Sequence, residues 1–269
     1  MTAHQTRPGT PMIGPYSVNQ MDDFPAAIAD GEVKPSGVMN LAQRLYIAQR
    51  CPERTRVVDV CCGRGLQLPT FYRYCDIDRY VGLDISPDNL TEARATVDRL
   101  DARYGGPRFP IEFVECDAAA PWPAAVGSGF DVAVYTSALE HLPRTAAVAS
   151  LRHIADALRP GGLLYLSTPN TPGDPPRPLQ YRVHVYEWNI AELEPVLADC
   201  GLTVEHRVGL LPPPAGQAAA ALTARFGTGA AEWYEQLRVT VPPALLAPMV
   251  AAALPEAATE VLYVCRRAT

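Results

Sequence analysis

Three groups of residues in this 269-residue chain have types and spacings that can do chemistry. The first is Arg56-Val57-Val58-Asp59-Val60-Cys61-Cys62-Gly63-Arg64-Gly65. Its β-branched run suits a buried parallel strand. The two glycines let the chain turn sharply and let a ligand approach the backbone. Strand, glycine turn and helix is how an α/β sheet builds a nucleotide pocket at the carboxyl edge of its first strand. An ionised Asp59 at that edge suits either a ligand's amino group or the N–H groups of its own turn. The second group is Glu140-His141. The third is His184, within Tyr181-Arg182-Val183-His184-Val185-Tyr186-Glu187-Trp188. Imidazole titrates near neutrality, so each histidine suits either proton transfer or a pocket wall. Leu66-Gln67-Leu68 stands where a dinucleotide-binding G-x-G-x-x-G would place its third glycine, which argues against a nicotinamide dinucleotide.

The elements that must position these residues alternate along the chain. Helix periodicity starts at Ser36 and ends at Cys51-Pro52. Strands are expected at Arg56–Val60, Arg79–Ile85, Ile111–Cys116, Phe130–Tyr135 and Leu163–Ser167, with helices between them. Ser86-Pro87 is a helix start, with Ser86 or Asp84 as the cap. Arg159-Pro160-Gly161-Gly162 is a strong turn. A Pro-rich loop covers 169–178, a helix about 189–200 and a strand about 202–209. An Ala-rich, helix-prone stretch then reaches about Leu254, and 259–266 reads as a final strand. Strands alternating with helices predict a parallel sheet covered on both faces, and the late stretch before the final strand allows an antiparallel edge.

Composition narrows the classes. Net charge is −6 with a pI near 5.4, which gives no basic stripe for nucleic acid or an anionic membrane. Lys34 is the only lysine among 23 basic residues, and with abundant Ala and Pro this fits a GC-rich genome. Seven cysteines contain no C-x-x-C pair, so neither a zinc site nor a disulfide framework is indicated, and no metal is expected. Reduced thiols, no visible signal peptide and no long apolar run fit a cytoplasmic protein.

The motifs together resemble the class I S-adenosylmethionine-dependent methyltransferases. Val57 to Gly65 is similar to that family's first motif. Asp84 resembles its ribose-binding acid, and Glu115-Cys116-Asp117-Ala118 its adenine-edge motif. Phe130 to Tyr135 with Ser137-Ala138-Leu139-Glu140-His141-Leu142 is similar to the fourth-strand motif, and Leu158 to Leu164 to the turn before the fifth strand. The resemblance spans about residues 56–170 and implies an α/β fold of the Rossmann-like type. That fold has a seven-stranded, mostly parallel sheet with an antiparallel last strand and helices on both faces. Residues 1–35 then form an N-terminal lid segment, 36–210 with 255–269 the core, and 211–254 a helical insertion that caps the substrate or meets a second copy. Cys61 departs from the family pattern, which has glycine there; Gly63 and Gly65 are expected to carry the left-handed angles, and Cys61 not.

The resemblance implies S-adenosylmethionine as cofactor and S-adenosylhomocysteine as product. Asp59, Cys61, Gly63, Gly65 and Ser137 belong to the implied cofactor pocket. Asp84, as an acceptor-only group with two oxygens, suits vicinal ribose hydroxyls, with a helix cap as the plainer role. Ile85 and Leu90 would face adenine, with Asp117 and the Ala118 N–H at its edge. His141 and His184 are the candidate catalytic residues. Tyr16, Tyr186 and Trp188 are candidate substrate contacts, although the 181–188 aromatics equally suit anchoring their own loop. The reading is a methyltransferase of a small molecule, a specialised metabolite, with oxygen favoured over nitrogen or carbon as the acceptor atom. A cap-type RNA guanine methyltransferase and a cofactor-binding module without turnover are the alternatives.

Overall fold

The computed structural model describes residues 35–269. The first helix, α1 (Pro35–Arg50), turns Met39, Gln43 and Ile47 toward the protein, each four residues from the last. Then follow β1 (Thr55–Val60), α2 (Leu68–Tyr74), β2 (Ile77–Asp84), α3 (Pro87–Tyr104), β3 (Ile111–Glu115) and β4 (Phe130–Thr136). A short 3₁₀ turn (Leu139–His141) leads to α4 (Arg144–Ala157), β5 (Leu158–Pro169), α5 (Ile190–Asp199) and β6 (Leu202–Leu211). Three helices, α6 (Ala215–Phe226), α7 (Thr228–Thr240) and α8 (Pro243–Ala253), precede β7 (Glu260–Arg267).

The seven strands form one sheet in the order β3-β2-β1-β4-β5-β7-β6. The β1–β2, β1–β4, β2–β3 and β4–β5 pairs are parallel, while β7 runs antiparallel to both β5 and β6. The last strand is therefore antiparallel as expected, but it is inserted between β5 and β6, and β6 forms the edge. Order reverses between β1 and β4, the switch point where a crevice opens at the carboxyl edge.

Alternation along the strands divides the core in two. One face (Val57, Val132, Val134, Tyr165, Leu262, Val264) packs under α1 and α2. The other (Val58, Val60, Ala133, Tyr135, Leu164, Leu166, Val261, Tyr263) packs against α4 and α5. The three late helices have a small core of their own around Leu222, Tyr234, Leu246 and Val250. Helix α8 comes so close to β6 that a Cβ on Gly209 would lie 2.0 Å from the Ala251 carbonyl oxygen.

Capping follows the sequence. Ser86 caps α3, its hydroxyl accepting the Asn89 N–H at 3.3 Å, with Pro87 in the first turn. Asn189 and Glu192 form a reciprocal capping box at the start of α5.

Candidate active site

The loop after β1 wraps around one carboxylate. Asp84 Oδ2 accepts the Gly63 N–H at 2.8 Å, and Oδ1 accepts the Ser86 N–H and the Asn89 side-chain amide at 2.9 and 3.1 Å. Four lone-pair sites less three donors leave one on Oδ2 for a ligand hydroxyl. Cys62 is drawn inward, its N–H donating to the Leu83 carbonyl at 2.8 Å. To turn that residue in, the chain takes a left-handed conformation one position earlier. Cys61 has φ 56°, alongside Gly63 at 54° and Gly65 at 74°. The expectation that the glycines alone carry these angles is thus corrected. The two glycines also differ in role. A Cβ on Gly63 would meet nothing within 4 Å, whereas one on Gly65 would lie 2.9 Å from Leu68 and 3.5 Å from Ala93. Gly63 has an open face for a ligand; Gly65 lets α2 and α3 close on the turn.

Beside this loop lies a cavity of about 220 Å³ bounded by Asn40, Gln43, Asp59, Gly63, Thr136 and Ser137. Asp59 is buried and accepts the Tyr80 hydroxyl at 2.7 Å. Burial pushes its carboxyl up to about 7; the Tyr80 hydrogen bond opposes this, the Asp84 charge adds to it and Arg44 subtracts. Gln43, also buried, has an amide oxygen without a hydrogen-bond partner among the described residues. An orphaned acceptor and a carboxyl lining one cavity suit a ligand with a cationic amino group. S-Adenosylmethionine fits this arrangement. Asp59 and Gln43 would take its amino acid end, Gly63 would offer an open backbone face, and Asp84 its remaining lone pair to the ribose. Sequence reasoning missed Gln43; the signal that could have found it is a polar residue four from both Met39 and Ile47 on the buried face of α1.

The other predicted cofactor residues vary in access. Ile85 is 65% exposed at the end of β2, whereas Leu90 is buried. Asp117 is exposed and uses one oxygen on the Ala119 N–H at 2.9 Å, so its other oxygen is open. Ala118 is buried, its carbonyl accepting the Trp122 indole. Ser137 has φ 52° and donates its N–H to the Ser167 carbonyl at 3.0 Å, which holds the turn after β4 against the end of β5.

The two histidines meet. The Glu140 carbonyl accepts the N–H groups of Val185 and Tyr186 at 2.8 and 3.2 Å, stitching the 181–188 loop to the 3₁₀ turn. The His141 and His184 rings then stand edge to face, 5.1 Å between centroids. His184 Nδ1 lies 2.5 Å from Glu187 Oε1. Glu187 is buried and also accepts from the Thr171 hydroxyl and the Gln180 and Tyr181 N–H groups. Burial pushes the Glu187 carboxyl up, but these donors outweigh it and hold it below the ordinary value. Glu140 is buried and accepts the Thr168 hydroxyl at 3.1 Å; burial raises its carboxyl, against the pull of its own backbone N–H and of Thr168. One ligand atom each from Glu140, His141 and His184 lie within 4.8 Å of one another, a spacing that could hold a metal ion. Glu187, central to this arrangement, stands in the sequence only as one member of the aromatic cluster.

The predicted substrate contacts fare differently. Trp188 is fully buried in the core, with the Arg144 guanidinium 5.4 Å from its ring, and offers a substrate no surface. Tyr186 stacks edge-on against Trp188 and donates its hydroxyl to Glu192 at 2.9 Å. Arg177 ties the same loop down through Glu192 and the Glu187 carbonyl. These aromatics anchor the loop that presents His184. Tyr16 lies outside the described residues.

Comparison with known proteins identifies the family and the fold. A methyltransferase-domain family model matches residues 57–162. A ubiquinone biosynthesis O-methyltransferase of Xanthomonas axonopodis pv. citri is 32% identical over 220 residues, covering 74% of this chain and 86% of the relative. A probable S-adenosylmethionine-dependent methyltransferase of Mycolicibacterium smegmatis is 33% identical over 204 residues, covering 73% and 69%. Among solved structures, the Burkholderia thailandensis 1,6-didemethyltoxoflavin-N1-methyltransferase with bound S-adenosylhomocysteine shares the fold. Its TM-score is 0.52 at 17% identity, with 97% of this chain and 93% of that one covered.

Proposed function

The chain belongs to the class I S-adenosylmethionine-dependent methyltransferases, and from that premise we propose that it methylates a hydroxyl oxygen of a small, largely apolar acceptor. The observation that carries the choice of oxygen is the His184–Glu187 contact beside His141. With Nδ1–H donated to a buried carboxylate, the neutral His184 ring keeps Nε2 as a proton acceptor. A hydroxyl nucleophile must lose its proton as its oxygen bonds to carbon, whereas a neutral amine need not lose one first. Relatives named as O-methyltransferases support the same choice.

S-Adenosylmethionine supplies an electrophilic methyl group and leaves as S-adenosylhomocysteine. The chain's own residues bind, align and take the proton. Asp59, Gln43, Gly63 and Asp84 hold the cofactor end. His184 accepts the hydroxyl proton at Nε2, and Glu187 stabilises the imidazolium that results. Alignment of the reacting atoms supplies several kcal/mol of the barrier reduction, on the order of 7–11 kcal/mol at best. The three helices between β6 and β7 enclose the acceptor. A specialised metabolite is the proposed acceptor class.

Product formation from a panel of phenols and catechols, followed by mass spectrometry, tests the reading. His184→Ala is expected to lower kcat roughly 10²–10⁴-fold while S-adenosylhomocysteine affinity stays within twofold. Full turnover in that variant removes His184 as the base. Binding of the product nucleoside with no methylated product from any acceptor removes the enzyme reading for this class.

The Glu140, His141 and His184 spacing favours a second reading of the same residues. A divalent cation held there would acidify the acceptor hydroxyl as a Lewis acid, and the histidines would be ligands instead of bases. Chelation followed by Mn²⁺ or Zn²⁺ readdition separates the two: a base mechanism keeps its rate through the cycle, a metal mechanism loses and regains it.

A further inference from the structure

A polar row crosses the α1 face of the sheet. Asp59 on β1 shares the inward side of Val57, Thr136 on β4 that of Val132 and Val134, Ser167 on β5 that of Tyr165, and Glu260 on β7 that of Leu262 and Val264. The register makes the row diagonal. Asp59 is level with Val134, Thr136 with Ser167, and Glu260 with Pro169 on the next strand. The first and last steps move toward the carboxyl edge, while Thr136 and Ser167 stand level. The row starts in the cofactor cavity, which Asp59 and Thr136 line.

It ends beside a second cavity. This one, about 370 Å³, is bounded by Pro35 at the start of α1, Leu211 and Thr259 at the ends of β6 and β7, and Tyr234, Leu246 and Val250 of the insertion. Its size falls within the range of small-molecule sites, roughly 300–1,000 Å³. Helix α1 is a wall of both cavities. Pro35 lines one and Asn40 the other, about 8 Å apart at the helical rise.

Glu260 marks the junction. It follows Thr259, and its register partner on β6 is Leu211, both of which line the second cavity. It is 6% exposed, and among the described residues its carboxyl has no hydrogen-bond partner and no ion pair. Among the described residues the charged groups that act on it are Glu140 and Glu187, both acidic, and Arg238 lines the cavity beside it. Glu260 does not itself line the second cavity, but it adjoins two residues that do, and a carboxyl without a protein partner can accept a hydrogen bond from a ligand hydroxyl that reaches it.

We propose that the second cavity is the acceptor site, that it takes a small aromatic or polycyclic molecule, and that Glu260 accepts a hydrogen bond from a hydroxyl on that molecule. The proposal rests on the methyltransferase reading for its acceptor class. Glu260 holds the acceptor; proton transfer stays with the histidines. The polar row leads from this anchor to the cofactor cavity, and the insertion helices, apolar at Leu246 and Val250 with Arg238 on the same wall, receive the rest of the molecule.

The probe is 1-naphthol, with 1-methoxynaphthalene as the partner lacking the donor, titrated by fluorescence into full-length protein saturated with S-adenosylhomocysteine. Wild type is expected to bind naphthol about tenfold or more tightly than its ether, the preference of one hydrogen bond to a buried carboxyl. Glu260→Leu should bring the two within about twofold by weakening naphthol alone. Val250→Trp, which fills the cavity from the insertion side, should weaken both probes at least tenfold. S-Adenosylhomocysteine affinity is the control, and it should be unchanged in both variants. Equal binding of the probes by wild type, discrimination that survives Glu260→Leu, undiminished binding by Val250→Trp, or no saturable naphthol binding each overturns the proposal. Failure of wild type to bind S-adenosylhomocysteine would instead overturn the cofactor reading, which is a separate outcome.

Discussion

Asp59→Asn keeps the shape of the side chain and an oxygen for the Tyr80 hydroxyl, and removes only the charge. In the wild type that charge appears late, because burial, against the pull of the Tyr80 hydrogen bond, pushes the carboxyl up to about 7. Two measurable consequences follow. A hydrogen bond between charged groups contributes about 1.5–3 kcal/mol, so at pH 7.5 the variant should bind S-adenosylhomocysteine roughly 10–150-fold more weakly. Wild-type affinity should rise with pH from 5.5, by up to about tenfold per unit, and flatten above 7, while the variant stays flat. Stability has the opposite slope. The folded protein keeps a proton that the unfolded chain, with its ordinary value of 3.8, gives up. Asp59's contribution is therefore complete below about pH 4 and is lost as pH rises to 7, about 4 kcal/mol at roughly 1.4 kcal/mol per unit. Glu140 and Glu260 are raised in the same sense, so the informative quantity is wild type minus variant. Isothermal titration calorimetry and urea melts at pH 4.5, 5.5, 6.5 and 7.5 read both. A variant that binds within threefold of wild type at pH 7.5, or a wild-type affinity flat across the range, would refute the assignment of Asp59 to the ligand's amino group.

Cys61→Gly relieves a left-handed backbone that costs a side-chain-bearing residue about 1–2 kcal/mol, less about 0.5–1 kcal/mol of glycine's chain entropy. The expected net is a gain of up to about 1 kcal/mol in urea unfolding, and a loss beyond about 0.5 kcal/mol would contradict it. Glu187→Gln breaks the acceptor hub under His184 and should cost about 2–4 kcal/mol of stability along with turnover. Because the wild-type carboxyl is held low, its stabilisation is present at neutral pH and lost as pH falls below the ordinary carboxylate range, so an acid melt of wild type and variant should converge there. Gly209→Ala places a methyl against the Ala251 carbonyl and should cost on the order of 1–3 kcal/mol, with faster proteolysis of the 211–259 segment if α8 is forced off β6.

Of the site, the cofactor loop was the legible part. Strand, loop and helix are short-range patterns, and Asp59, Gly63 and Asp84 fall at fixed intervals within them. The caps at Ser86 and Asn189 were equally local. The left-handed angle at Cys61 was missed because residue type alone argues for glycine there. The contact of Cys62 with β2 that draws the chain round belongs to the folded sheet. The aromatic cluster was visible, but its orientation was not. Burial of Trp188 and the Tyr186–Glu192 bond follow from how the loop packs over α5.

The sequence by itself determined the order of strands and helices, the cofactor loop and the acid character of the chain. These depend on periodicity, turn chemistry and composition, which operate over a few residues. Tertiary structure alone decided which distant side chains share a site. His184 reaches His141 because two backbone N–H groups of its loop donate to the Glu140 carbonyl. Glu260 enters the row that begins at Asp59 because β7 inserts between β5 and β6 in a register that sets it opposite Pro169. Both are consequences of long-range hydrogen-bond pairing, in which a shift of one residue would turn Glu260 to the other face of the sheet.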